Sequence, residues 1–254
     1  GIFDTAEVLF LKAIEIRVKV YGKENLDFTV YNNNLGLLYQ QVGNFKKAET
    51  IYLESKIILE KILEKEHPSN GEALAYLANL YVEMGDYVKA ELYYLQAKEI
   101  FLKSFGKNHM DYLNATYGLT DLFLKTGKFN EAKKYAQEFG LLQREMFIKT
   151  SNYLSEQELN LYINEFNQKL NLNYLIAEND PDFGGFCYDN ILFYKGYMLQ
   201  SINEIKRLTK VDSNLKESFL QYKSFQRRLG IEYSKPIKEQ KDVDELEERC
   251  NSLE

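Results

Sequence analysis

The sequence predicts an all-α fold, a right-handed solenoid of stacked helix pairs over residues 3–150 continued by a helical extension to residue 254. Three observations carry this. First, several columns of residues recur every 42 positions: Phe3, Phe45, Tyr87 and Phe129, each followed three residues later by Ala6, Ala48, Ala90 or Ala132. Gly43, Gly85 and Gly127 keep the same interval, as do Tyr39, Tyr81 and Phe123, and Leu35, Leu77 and Leu119. Chance does not hold so many columns in register, so this is a repeat architecture. Second, apolar residues within each unit recur at three and four positions, as in Leu35, Leu38, Tyr39 and Val42, which is one buried stripe on a helix. Third, the chain has only 3 prolines and no tryptophan, and it is rich in residues that favour helix.

Taken in order, residues 3–20 read as the second helix of a pair whose first helix is missing. With this mid-repeat start, and Gly1 in place of an initiator methionine, the expectation is that the chain is a piece of a longer protein or was trimmed; Val8, Leu9 and Phe10 do not form the polar face of a capping repeat. In each following unit a glycine ends one helix, where a left-handed residue is needed. The aromatic two positions later opens the next helix, and the alanine is small so that two helices approach closely. A helix pair of this kind cannot bury its face alone, and stacking on its neighbours buries it.

After Thr150 the register stops and helical patterning continues. Ser155-Glu156-x-Glu158 is a capping box, and Leu159, Tyr162, Ile163, Phe166 and Leu170 form an apolar stripe behind it. Residues 179–185, Asn-Asp-Pro-Asp-Phe-Gly-Gly, break the pattern. Further helices are predicted over about 186–210, 213–229 and 238–253, the last of them acidic and solvated on most sides. Residues 1–150 and 151–254 therefore read as two domains.

Charge and composition exclude several functions. A net charge of −6 and a pI near 5.3 argue against a nucleic-acid partner, because phosphate binding needs a basic stripe. No apolar run approaches the roughly 20 residues that span a bilayer, so no membrane association is expected. Cys187 and Cys250 lie far apart and outside any Cys-x-x-Cys spacing, and a reducing cytoplasm is the expected setting. Cys187, between Phe186 and Tyr188, is expected to be a buried helix residue, and Cys250 to be exposed. A cysteine nucleophile needs a neighbouring histidine. The only two histidines, His67 and His109, stand 42 apart in the same turn of successive repeats, with Asn25 in the copy before them. They read as turn residues, and the chain is expected not to be an enzyme. Neither metal-ligand clusters nor a phosphate loop occur, since Gly184-Gly185 lacks the following Lys-Ser/Thr, and no cofactor or metal is expected.

Leu35-Gly36-x-x-Tyr39 followed by Ala48-x-x-x-Tyr52 resembles the tetratricopeptide pattern. Asn32, Leu74 and Thr116 stand where that pattern has tryptophan, and the unit is longer than the ordinary 34 residues. The phrases Asn32-Asn33-Asn34-Leu35-Gly36-Leu37-Leu38-Tyr39 and Lys65-Glu66-His67-Pro68 are similar to the longer repeats of kinesin light chains. The resemblance implies a right-handed tetratricopeptide α-solenoid whose concave groove is lined by the first helix of each pair. Transferred column by column, it implies a groove of Asn33, Asn34, Leu37 and Gln41, then Ala75, Tyr76, Asn79 and Glu83, then Tyr117, Gly118, Asp121 and Lys125. Asparagines there would bond the backbone of a protein or peptide partner, and the tyrosines would pack its side chains. No Lys/Arg cluster is present to clamp a terminal carboxylate. Residues 150–254 resemble the helical segment that precedes the peptidase in bacterial CHAT-domain, caspase-like proteins. The carriers are Tyr153-Leu154-Ser155-Glu156, the run from Tyr188 to Leu199, and Arg227-Arg228-Leu229 leading into the acidic end helix. This implies an interaction and regulatory module of such a protease, with the catalytic domain outside these residues. The alternative is a free-standing adaptor or peptide sensor, and catalysis through Cys187 is the weakest reading.

Overall fold

The computed structural model describes residues 2–151, 169, 171–196, 213–233 and 235–252. Among the described residues there are helices and no strands, so the fold class is all-α. The chain divides into two compact units, Gly1–Gly106 and Lys107–Glu254.

The first unit holds α1 (Ile2–Tyr21), α2 (Leu26–Gln41), α3 (Phe45–Ile62), α4 (Pro68–Met84) and α5 (Tyr87–Phe105). Local chemistry sets each boundary. Asn25 and His67 cap α2 and α4, their side chains accepting from the Phe28 and Ser69 amides, and Pro68 opens α4, where a missing N–H costs nothing. Gly43 and Gly85 stand at φ 75° and 79°, the left-handed region that glycine enters without penalty. Each lets the next amide bond back to the last turn, Asn44 to the Tyr39 carbonyl at 2.8 Å and Asp86 to the Tyr81 carbonyl at 2.9 Å. Asn44 and Asp86 then cap α3 and α5 by accepting from the Lys47 and Lys89 amides. One four-residue phrase thus stops one helix and starts the next. Sequential helices pack on one another, and α2 also meets α4. Ala48 and Ala90 are fully buried at close crossings, as their small size requires. Leu9, Ile16 and Val20 of α1 remain exposed.

A three-residue bridge repeats with the 42-residue period in this unit. Tyr39 donates to Glu7 at 2.5 Å and Tyr81 donates to Glu49 at 2.6 Å, while the Lys47 and Lys89 ammonium groups each lie 4.6 Å above the corresponding tyrosine ring. Each bridge joins a helix to the pair before it and to the helix after it.

The second unit contains α6 (Met110–Lys125), α7 (Phe129–Ser151), α8 (Asn171–Asn179), a 3-10 turn at Pro181–Phe183, α9 (184–196), α10 (Ser213–Tyr233), a 3-10 turn at Ile237–Glu239 and α11 (Val243–Asn251). His109 caps α6, and Gly127 at φ 71° repeats the helix stop. α8 packs on α6 and α7. A Cβ on Gly140 of α7 would sit 2.8 Å from the Phe186 ring, so glycine admits α9 to this contact. Arg144 lies over the rings of Phe186 and Phe193 and donates through Nε to Asn190 at 2.6 Å.

Three sequence expectations change here. Gly184 and Gly185 lie within a helix, because Asp180 caps the 3-10 turn by accepting from the Asp182 amide and the chain re-enters helix at 184 instead of about 186. The end helix is not solvated all round: Leu246 and Cys250 are 4% and 2% exposed, packed with Leu229 and flanked by Tyr222, Phe225, Tyr233 and Val243. Cys250 is therefore buried, since Val243, Leu246 and Cys250 make a narrow apolar stripe on an otherwise acidic helix. The capping box at 155–158, the stripe at 159–170 and the stretch 197–210 lie outside the described residues.

Candidate interaction surface

The groove columns fall on the first helix of each pair. In the first unit Asn34, Leu37 and Gln41 of α2 succeed one another at helical spacing, and Tyr76, Asn79 and Glu83 of α4 stand 42 residues on in the same columns. Asn34, Gln41, Asn79 and Glu83 are exposed, and Leu37, Ala75 and Tyr76 are half-buried. Asn33 differs. It is 7% exposed and its Oδ1 has no hydrogen-bond partner, so it belongs to the packed side of α2 and not to the open face expected of it.

A polar and aromatic chain ties these helices together. Tyr52 of α3 is fully buried, its ring pressed on Gly36 of α2 and stacked on Tyr76 of α4 at 5.4 Å. The Tyr52 hydroxyl donates to Gln40 Oε1 at 3.1 Å, and Gln40 Nε2 donates to Glu83 Oε1 at 2.8 Å. In the next repeat Ala78 stands where Gly36 does, and Tyr94 donates instead to Asn79 Oδ1 at 2.5 Å. Asn79 thus keeps its Nδ2 donors and one lone pair for any further partner. Burial pushes the Tyr52 phenol far above its ordinary range, with the Tyr76 and Glu83 charges adding to it; burial and then the Glu49 bond do the same to Tyr81. These hydroxyls act as donors, fixed in direction.

In the second unit α6 carries the same columns. Tyr117 is half-buried with its ring 5.5 Å from Phe139 of α7, and burial followed by the Asp121 charge raises its phenol. Asp121 pairs with Lys125 at 2.6 Å, and Gly118 is buried.

Sequence reasoning missed Gln40, and named Tyr52 as part of the repeat pattern without its partners. Neither partnership repeats, because the residues 42 positions after Gly36 and Gln40 are Ala78 and Val82, so a column search passes over both.

The cysteines and histidines sit in structural roles. Cys187 is buried in α9, its thiol donating toward the Asn173 carbonyl at 3.4 Å, and burial raises its pKa. That is the opposite of what a thiolate nucleophile needs. Nδ1 of His67 accepts from the Ser69 amide at 3.2 Å and Nδ1 of His109 from the Asp111 amide at 3.3 Å. Among the described residues no cluster of His, Cys, Asp and Glu could hold a metal ion, and no helix is long and apolar enough to cross a membrane.

The tetratricopeptide repeat family model matches residues 26–103 and 76–138, and this stretch of the chain is a tetratricopeptide array. No curated protein matches the sequence. Among solved structures, BtubC (BKLC) from P. vanneervenii is similar with a TM-score of 0.61 and 21% identity, over 78% of this chain and 75% of that one. A Podosopora anserina protein described as a candidate kinesin light chain with nearly identical TPR-like repeats is similar at 0.52 and 19%, over 83% and 90% of the two chains. A single-substitution variant of that protein is similar at 0.53 and 18%, over 81% and 89%. These likenesses establish the fold: an all-α chain of the tetratricopeptide-solenoid class with kinesin-light-chain-type neighbours.

Proposed function

We propose that the chain is a protein–protein interaction module that binds an extended or short-helical partner segment along the α2–α4 face, with α6 presenting Tyr117, Asp121 and Lys125 in the same role within its own unit. The observation that supports this is the contrast between the two sides of these helices. The packed side holds Leu35, Ala73, Leu77 and Leu80, all nearly solvent-free, whereas the other side leaves Asn34, Gln41, Asn79 and Glu83 exposed around the half-buried Tyr76. The Tyr52–Gln40–Glu83 chain holds that face in place before a partner arrives, which lowers the cost of ordering it. Backbone bonding by Asn34 and Asn79 would give affinity with little sequence demand, and Tyr76 would supply selectivity.

The test is to capture a partner and measure its dissociation constant for the Asn34→Ala, Asn79→Ala double variant. Loss of well-formed hydrogen bonds costs about 1–3 kcal/mol, roughly one to two decades in affinity. A folded double variant that binds like the parent would remove this face from consideration.

The finer reading is a regulatory role ahead of a CHAT-type, caspase-like peptidase in a bacterial cytoplasm. It rests on the resemblance of residues 150–254 alone. The coding sequence downstream of Glu254 tests it: an α/β segment with paired His and Cys supports the protease reading, and a stop codon supports a free-standing adaptor. This chain by itself is expected to hydrolyse no peptide. Hydrolysis abolished by Cys187→Ala would overturn that expectation.

A further inference from the structure

A cavity of about 710 Å3 opens in the first unit between α3, α4 and α5, away from the columns of the α2–α4 face. Leu74 and Ile100 supply its apolar wall, Asn70, Tyr93 and Gln96 its polar wall, and Lys56, Glu60, Lys65, Glu66, Glu99 and Lys103 its rim.

The repeat itself explains why space is left there. Asn70 is the third residue after the cap His67; the residues in the same place after Asn25 and His109 are Phe28 and Tyr112. Both rings are buried, at 2% and 3% exposure. In the last repeat the Tyr112 hydroxyl donates to Glu138 at 2.5 Å, and the residue 42 positions before Glu138 is Gln96, on the cavity wall. In the first repeat the Lys23 ammonium lies 5.8 Å above the Phe28 ring, and the residue 42 positions after Lys23 is Lys65, on the cavity rim. The middle repeat therefore keeps the surroundings of an aromatic ring and lacks the ring. Asn70 turns back to donate to the Glu64 carbonyl at 2.9 Å, and its own buried Oδ1 is left without a donor.

From this vacancy we infer that the cavity receives a tyrosine side chain from a partner polypeptide, its hydroxyl donating to Gln96 and its ring face beneath Lys65. The rim does not call for an anion. Lys56 pairs with Glu60 at 2.7 Å, and Lys103 pairs with Glu66 at 3.2 Å and Glu99 at 3.0 Å. A neutral ring with one hydroxyl matches both the apolar wall and the neutral acceptor Gln96, where the carboxylate of the other copies, Glu54 and Glu138, is absent. The volume exceeds that of one ring and lies within the range of small-ligand pockets, which leaves room for the backbone next to that ring. This site is separate from the α2–α4 face, and its test needs no groove partner, so either reading can fail alone.

The experiment titrates the chain, labelled with 15N, with p-cresol, toluene and an N-acetylated, amidated Gly-Tyr-Gly tripeptide, reading the Asn70 and Gln96 side-chain amide signals. Expected are saturable shifts with p-cresol and at least equal affinity for the tripeptide. Asn70→Tyr, which puts the missing ring back, is expected to abolish both. Gln96→Leu, at an exposed position, guards against a misfolded Asn70→Tyr; it is expected to weaken p-cresol about five- to tenfold, one hydrogen bond, and to leave toluene unchanged. No saturable shift with p-cresol, retained binding in a folded Asn70→Tyr, or equal p-cresol affinity in Gln96→Leu would each overturn the site. Binding of p-cresol with exclusion of the tripeptide would overturn the partner and leave a site for free small aromatics.

Discussion

A Cβ placed on Gly36 would collide with Cε1 of Tyr52, whose ring is fully buried and whose hydroxyl is tied to Gln40. Two effects of Gly36→Ala oppose each other. Helix propensity favours alanine by about 1 kcal/mol, and overpacking costs about 1–3 kcal/mol. The clash wins, because Tyr52 is held between Gly36 and Tyr76 and cannot swing away without losing a bond. Gly36→Ala is expected to lower stability by up to about 2 kcal/mol, read as a fall in the urea midpoint at unchanged slope; an increase would mean that the ring yields freely. Ala90→Leu is expected to cost on the order of 1–3 kcal/mol for the same reason, since Ala90 has no exposed surface at its crossing. An unchanged melting temperature would contradict that packing. The need for a small residue at position 90 was legible from its column. Gly36 was legible as a member of the repeat pattern but its reason was not, because that arises from one tyrosine's path across the helix and the next repeat solves the same crossing with Ala78 and a differently directed Tyr94. Asn33 shows the same limit: its type reads as polar and open, yet its direction from the helix axis puts it inside.

Between elements, the repeating Glu–Tyr–Lys bridge sets how one helix pair meets the next. Tyr81→Phe keeps the ring under Lys89 and removes the bond to Glu49, at a cost of about 1–2 kcal/mol. The last repeat already carries Phe123 in this column. The bridge also predicts a pH dependence. The Tyr39 and Tyr81 phenols are raised in the folded chain, chiefly by burial and then by their glutamate partners. A raised phenol contributes stability that is complete below the unfolded value near 10 and lost as pH climbs from there through the folded value. The buried Cys187 thiol, also raised, begins the loss above about pH 8.5; the tyrosines are expected to steepen the fall above about pH 10, and Tyr81→Phe to make that second fall shallower. Urea unfolding at a series of alkaline pH values checks both. Helix stops and starts were legible in sequence, because glycine and the cap residues act within four positions of themselves. The α10–α11 core was not: three apolar residues on α11 meet Leu229, and a charge count on the helix alone cannot find them.

At the scale of the whole chain, the sequence register ends at 150, while the compact units divide at Gly106, because α6 and α7 share a unit with α8 and the helices after it. The domain boundary at 150 is our proposal for where one ancestry gives way to another, and the unit boundary describes packing. The repeat class was legible because 42-residue columns persist through sequence change. The proposed binding face was legible only as columns; which members are open and which are held by neighbours depended on non-repeating partners. A partner segment is proposed to lie against the open side of α2 and α4. Photo-crosslinking tests it most directly, with p-benzoylphenylalanine placed singly at Gln41, at Asn79, and at Val88 of α5, which is 82% exposed and lies outside the groove columns. One and the same partner is expected to cross-link from positions 41 and 79 and not from 88. A partner captured from 88 with none from 41 or 79 would contradict it.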